Sequence, residues 1–184
     1  MPLPTPAPRK LVHNRTVECE AFMRDDGHWE IDASLFDRKP YAHEDFDKRV
    51  REPGEPVHKM SIRLTISARF DIVDAQANMD DAPYPTCWDV PERLSALVGV
   101  RIGPGWREAV RQRLPKRMTC THLMELLGPA VTTLYQATSY PYDRPNAGAR
   151  SVSGMQPFFF DGCHSWRADG PNAARIFPTH AKTT

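Results

Sequence analysis

Between residues 101 and 140 a single apolar stripe limits what this chain can build. Leu123, Leu127, Ala130 and Leu134 recur at i, i+4, i+7 and i+11, with Leu126 alongside. That period predicts an amphipathic helix with one face committed to a core. Thr119 or Thr121 is placed to cap its first turn, because a hydroxyl accepts from N–H groups that lack a partner within the helix, and Glu125 stands early, where negative charge is favoured. Pro129 removes one backbone hydrogen bond and predicts a kink near Leu126. A preceding helix is expected over residues 105–114, with Trp106, Ala109, Val110 and Leu114 on one side and Arg107, Arg111 and Gln112 on the other.

Upstream of these helices the period drops to two. In residues 15–23, Val17, Cys19, Ala21 and Met23 alternate with polar neighbours as a first strand, and Asp26-Gly27 then signals a hairpin, since glycine accepts the positive φ of a tight turn. The second strand places Trp29, Ile31, Ala33 and Leu35 inward and His28, Glu30, Asp32 and Ser34 outward. Residues 37–56, charged and interrupted by proline, read as a long loop that crosses the sheet or covers a cleft. A third strand sets Met60, Ile62, Leu64 and Ile66 against Ser61, Arg63, Thr65 and Ser67. The fourth, through Phe70, Ile72 and Asp74, is less regular and is expected to give way to loop at residues 78–85; Pro91 then opens a short helix ending at Val98.

Strands followed by helices argue for an α+β fold: a four-stranded antiparallel sheet in the N-terminal half with two to three helices packed on one face. Residues 1–10, with Pro2, Pro4, Pro6 and Pro8, form an extended arm, residues 11–140 a single domain, and residues 141–184 an irregular tail. Within the tail, Phe158-Phe159-Phe160 and Cys163-His164-Ser165-Trp166 make an aromatic island that either packs back as a lid or meets a partner protein.

Composition excludes some functions. With 24 Lys and Arg against 23 Asp and Glu, the net charge of +1 offers no basic field for nucleic acid. No run is long and apolar enough for a bilayer, and Met1-Pro2-Leu3-Pro4 lacks the apolar segment of a signal peptide, so the cytoplasm is the expected compartment. Cys19, Cys87, Cys120 and Cys163 form no CxxC pair and suit reduced thiols. Association into a homo-oligomer is left open.

The chemical candidates gather around the long helix. Cys120 and His122 flank its start, where the helix dipole favours a thiolate and a neutral imidazole, the forms that act as nucleophile, base or metal ligand. The dipole supplies only about 0.3–1 kcal/mol, so burial or a partner must do the rest. The alternative is that the two residues simply pack in a loop-to-helix junction. His58 and Cys87 would complete a four-ligand set with them, yet only Cys120 and His122 are closely spaced, and no metal is assigned. Asp80 and Asp81 beside Tyr84 offer a carboxylate and a phenol on a proline-stiffened loop, as an acid/base pair or as ordinary turn chemistry. Arg101 ends an apolar run, so its guanidinium pairs with an acid or holds an anionic substrate. Glu30 and Asp32 share a face that reads as solvated.

Five segments in order, RDDGHWEIDASLFDRKPY at 24–41, PVHKMSIRLTI at 56–66, MDDAPYPTC at 79–87, LVGVRIGPGW at 97–106 and CTHLMELLGPAVTTLYQA at 120–137, resemble the bacterial family catalogued as the DUF2889 domain, over about residues 11–140. Thr119 stands where the family pattern has a small residue and Lys59 where it has an acidic one. The resemblance implies a link to the breakdown of lignin-derived aromatic dimers by carbon–carbon lyases that release formaldehyde. In that setting His122 or His58 would be the base, Tyr84 the acid, Arg101 or Tyr41 a phenolate stabiliser, and Trp29, Trp106 and the tail phenylalanines aromatic walls; Asp80 and Cys120 remain catalytic candidates from the residues themselves. The expectation is a lyase for a small phenolic substrate with no cofactor; a non-catalytic assembly module, or a metal-binding protein using Cys120 and His122, is the alternative.

Overall fold

The computed structural model describes residues 2–139 and 160–181. The chain divides into two compact units, Met1–Thr138 and Ser139–Thr184.

In the first unit, β1 (Asn14–Met23) and β2 (Trp29–Arg38) form the expected hairpin, with Gly27 at φ 83° in its turn. A two-stranded ribbon follows, β3 (His43–Glu44) and β4 (Val50–Arg51), then the long strands β5 (Pro56–Ile66) and β6 (Ile72–Asp81). β1, β2, β5 and β6 pair antiparallel in that order, so the α+β fold with a four-stranded sheet stands as expected. Two 3-10 segments, Pro85–Asp89 and Pro91–Leu97, lead to α1 (Trp106–Arg113) and α2 (Thr121–Ser139).

One face of the sheet is covered. Ile31, Ala33 and Leu35 of β2 and Met60, Ile62, Leu64 and Ile66 of β5 join Leu123, Leu126, Leu127, Ala130 and Leu134 of α2 in one buried cluster. Each aliphatic side chain so buried stabilises the fold by about 1.5–3 kcal/mol. Cys120 immediately precedes α2 and its carbonyl accepts from the Met124 N–H at 3.1 Å, so Cys120 takes the N-cap place that Thr119 or Thr121 was expected to fill.

Two boundaries differ from the sequence expectation. β2 does not stop at Leu35 but runs on to Arg38, because β1 and β5 offer ladder partners on both sides: Asp37 pairs with Arg15 and with His58. β6 likewise continues to Asp81 beside Lys59, through residues expected to be loop. Nor is the segment after β2 bare loop. Buried Arg51 pins the β3–β4 ribbon, reaching Asp45 at 3.2 Å, Asp81 at 2.9 Å, and the carbonyls of Pro56 and Ala82.

Residues 160–181 are the described part of the second unit beyond the end of α2. They hold α3 (Pro171–Ile176) and a small core of Phe160, Ala168, Ala173 and Phe177, with Trp166 packed against it. Phe158 and Phe159 of the expected island lie outside the described residues.

Candidate functional site

The strand parity that buries aliphatic residues also selects the site. Position 37 has the inward parity of Ile31, Ala33 and Leu35, and position 58 that of Met60 and Ile62; Arg15 lies opposite Asp37 on β1. Arg15, Asp37 and His58 therefore form a row across three strands, at the edge of the covered face. His122, in the first turn of α2, meets this row from the helix side.

Asp37 is the centre. It is 1% exposed, and Arg15 clamps it bidentately, Nε donating to Oδ1 and Nη2 to Oδ2, both at 2.7 Å. His13 Nε2 lies 3.3 Å from Oδ1, His58 Nδ1 3.1 Å from Oδ2, and His122 Nε2 3.9 Å from Oδ2. The His58 and His122 rings are stacked at 3.8 Å between centroids with a tilt of 33°. Arg15 Nη1 also donates to Glu125 Oε2 at 2.5 Å, fastening β1 to α2.

Burial alone would raise the Asp37 pKa, but the hydrogen bonds from Arg15 and His13 and the positive charge of Arg15 outweigh it and hold the carboxyl at about 2. His58 moves the other way for a histidine beside a carboxylate: burial and the neighbouring His122 lower its pKa despite Asp37, favouring the neutral imidazole. Cys120 Sγ is 3.7 Å from His122 Nδ1. Burial works to raise its pKa, yet the His122 contact and the N–H groups of Leu123 and His122 prevail and lower it. The Cys87 thiol is pushed up, chiefly by burial and in smaller part by the neighbouring Cys120.

A buried, charged carboxylate thus orients imidazoles whose neutral forms can take up a proton, with a thiol of lowered pKa beyond them. One donor atom from each of Asp37, His58 and His122 lies within 4.8 Å of the others, so these residues are also the ones able to hold a metal ion among the described residues.

Of the residues singled out from sequence, His58, His122 and Cys120 come together here. Cys87 lies near Cys120, and the others stand apart from this contact network. Tyr84, partly exposed, stacks on the largely exposed Phe46 at 5.3 Å. Asp80 faces Lys59 at 3.6 Å and accepts from Asn78. Arg101 is engaged bidentately by Asp71, at 2.7 and 2.9 Å, next to the Ile66–Ile72 pairing. Trp29 pairs with Ile66 at that same end of the sheet, eight residues along β5 from His58, or about 26 Å at the rise of an extended strand. Tyr41 lies edge-on to His43 with Lys39 over its ring, Trp106 packs half-buried on the core, and Asp32 is held by Arg63.

Asp37, Arg15 and His13 were not singled out from sequence. The signal was there in the alternation: extended by one further inward step, the second strand puts a carboxylate, Asp37, into the core face, and the first strand puts Arg15 opposite it.

An α+β domain with a His–Asp–Cys cluster at the mouth of its long helix defines the class of this protein. It belongs to the family described as "Protein of unknown function (DUF2889)", whose model matches residues 13–136 and so spans the whole cluster. No curated protein and no solved structure matches the chain.

Proposed function

We propose that this chain is a carbon–carbon lyase of bacterial aromatic catabolism, which releases formaldehyde from a phenolic, lignin-derived dimer without an organic cofactor. The observation that carries the reading is the clamped Asp37 carboxylate with His13, His58 and His122 gathered on it. Such a cluster supplies what the reaction needs: a positioned imidazole, His58, half-buried and with its pKa lowered by that burial so that the neutral base is favoured.

In the proposed reaction the substrate phenolate expels the oxygen substituent on the benzylic carbon and becomes a quinone methide. An imidazole of the cluster takes the proton of the adjacent hydroxymethyl group, the carbon–carbon bond breaks, and formaldehyde leaves. The electron pair of that bond forms a new alkene and restores the aromatic ring, while the proton passes to the expelled oxygen. The quinone methide is the electron sink, so no pyridoxal or thiamin type of group is required. Four unpaired cysteines support a reducing compartment, for which we propose the cytoplasm. No described helix is long and apolar enough to cross a membrane.

The test is formaldehyde release from phenolic dimers bearing a hydroxymethyl group, with wild-type protein and the His58→Ala and His122→Ala variants checked for a native circular dichroism spectrum. Release by the wild type and a loss of about 100-fold or more in both folded variants is expected. Undiminished release in both, or none by the wild type from any such dimer, removes the reading.

A further inference from the structure

We infer that Asp37, His58 and His122 form a binding site for a divalent transition-metal ion of the zinc and ferrous class. The inference goes beyond the lyase reading, because it concerns what the cluster binds and is measured with no substrate present.

Geometry carries it. Metal–ligand bonds of about 2.0–2.2 Å put two donors on a tetrahedral ion roughly 3.4 Å apart. Asp37 Oδ2 stands 3.1 Å from His58 Nδ1 and 3.9 Å from His122 Nε2, and the three donors together fall within 4.8 Å. The His122 separation is too long for a hydrogen bond, yet it is within a few tenths of an ångström of the spacing that a shared ion imposes. The donors come from β2, β5 and α2, so the fold rather than a flexible loop positions them.

The surroundings fit a coordinated carboxylate. Arg15 takes one lone pair on each Asp37 oxygen and His13 approaches Oδ1, which fixes the carboxylate plane and leaves the outer side of Oδ2 turned toward the two imidazoles. Partners that orient a ligand in this way are the usual support of a metal site. Two imidazoles and one carboxylate suit zinc or ferrous iron; calcium and magnesium prefer all-oxygen sites. The guanidinium offsets the carboxylate charge, which further disfavours ions bound by charge alone. This ligand set differs from His58, Cys87, Cys120 and His122, the one that sequence alone brought to mind.

The experiment is metal analysis of the full chain as purified without a chelator or a histidine tag, followed by titration of EDTA-treated protein with Co2+ and Zn2+, read by the Co2+ absorption bands and by calorimetry. Near one equivalent is expected, with affinity at least tenfold weaker in His58→Gln and in His122→Gln, both confirmed as folded, and about 10–100-fold weaker in Arg15→Lys. Absence of binding by folded wild type overturns the inference, as does unchanged affinity in both histidine variants. Loss of binding in Cys120→Ser with full retention in His58→Gln would also overturn it, by moving the ligands elsewhere. Formaldehyde release by a protein that binds no ion would sink this inference and leave the lyase standing; stoichiometric binding without release would do the reverse.

Discussion

Asp37 and His58 face each other across the β2–β5 ladder, Oδ2 3.1 Å from Nδ1, in a row where ionisable groups replace the aliphatic pairs that fill the rest of the covered face. The row is tolerable only because the carboxylate is matched: a charge taken out of water needs both a counter-ion and hydrogen bonds, and Arg15 gives it both.

Removal of that match should be costly. Arg15→Ala leaves a buried carboxylate with imidazoles alone and unties β1 from Glu125, and is expected to lower stability by about 2–3 kcal/mol, toward the low end for a broken buried pair because the guanidinium is partly exposed. Urea denaturation monitored by circular dichroism measures it. A change below about 0.5 kcal/mol would mean that the clamp does not hold the carboxylate.

Acid should release the same energy. The Asp37 pKa is depressed to about 2 from an ordinary 3.8, so the unfolded chain binds the proton more readily. The associated stability, on the order of 2 kcal/mol, is fully present above about pH 5 and disappears as pH falls through 3.8 toward 2. In EDTA-treated protein the fall in urea midpoint across this window should be larger than in Asp37→Asn. Parallel curves would contradict the assignment.

Thiol chemistry should discriminate among the cysteines. Burial raises the Cys19 and Cys87 thiols, whereas at Cys120 the His122 contact and two backbone N–H groups overcome burial and lower the pKa. Mass-spectrometric mapping of iodoacetamide labelling in metal-free protein at pH 7.5, a working value near neutrality, should find Cys120 modified before Cys19 and Cys87. His122→Ala should slow it. Equal rates at all three would show that His122 does not activate the thiol.

Two substitutions separate core from surface. Leu126 is fully buried in α2, and Leu126→Ala should cost about 2–5 kcal/mol. Arg101 pairs with Asp71 in the open, and Arg101→Ala should leave stability close to that of the parent. Thermal and urea unfolding of the pair give the comparison, and an Arg101 effect as large as that of Leu126 would show a larger part for this ion pair than its exposure allows.

The strands and long helices were legible because each is a local pattern. Ile31, Ala33 and Leu35 alternate, and Leu123, Leu127 and Leu134 recur with the helical period, whatever the rest of the chain does. The ends of β2 and β6 were not legible, because Asp37 and Asp81 look like loop residues until a partner strand supplies ladder pairing and an arginine supplies a counter-charge. The short α3 was missed for a related reason: its six residues carry little period of their own, and Ala173 finds its core partners, Phe160, Ala168 and Phe177, beyond the helix.

By itself the sequence determined the class of fold, the covered face of the sheet, and the placing of Cys120 and His122 at the helix mouth, since hydrophobic period and chain order suffice for those. Only the tertiary structure decided the site. His13 and Asp37 are 24 residues apart, Asp37 and His58 21, and His122 arrives on another element altogether; their meeting depends on strand register and on where α2 docks. The lowered pKa values of Asp37, His58 and Cys120 follow from that meeting, because burial and neighbouring charge act through space rather than along the chain.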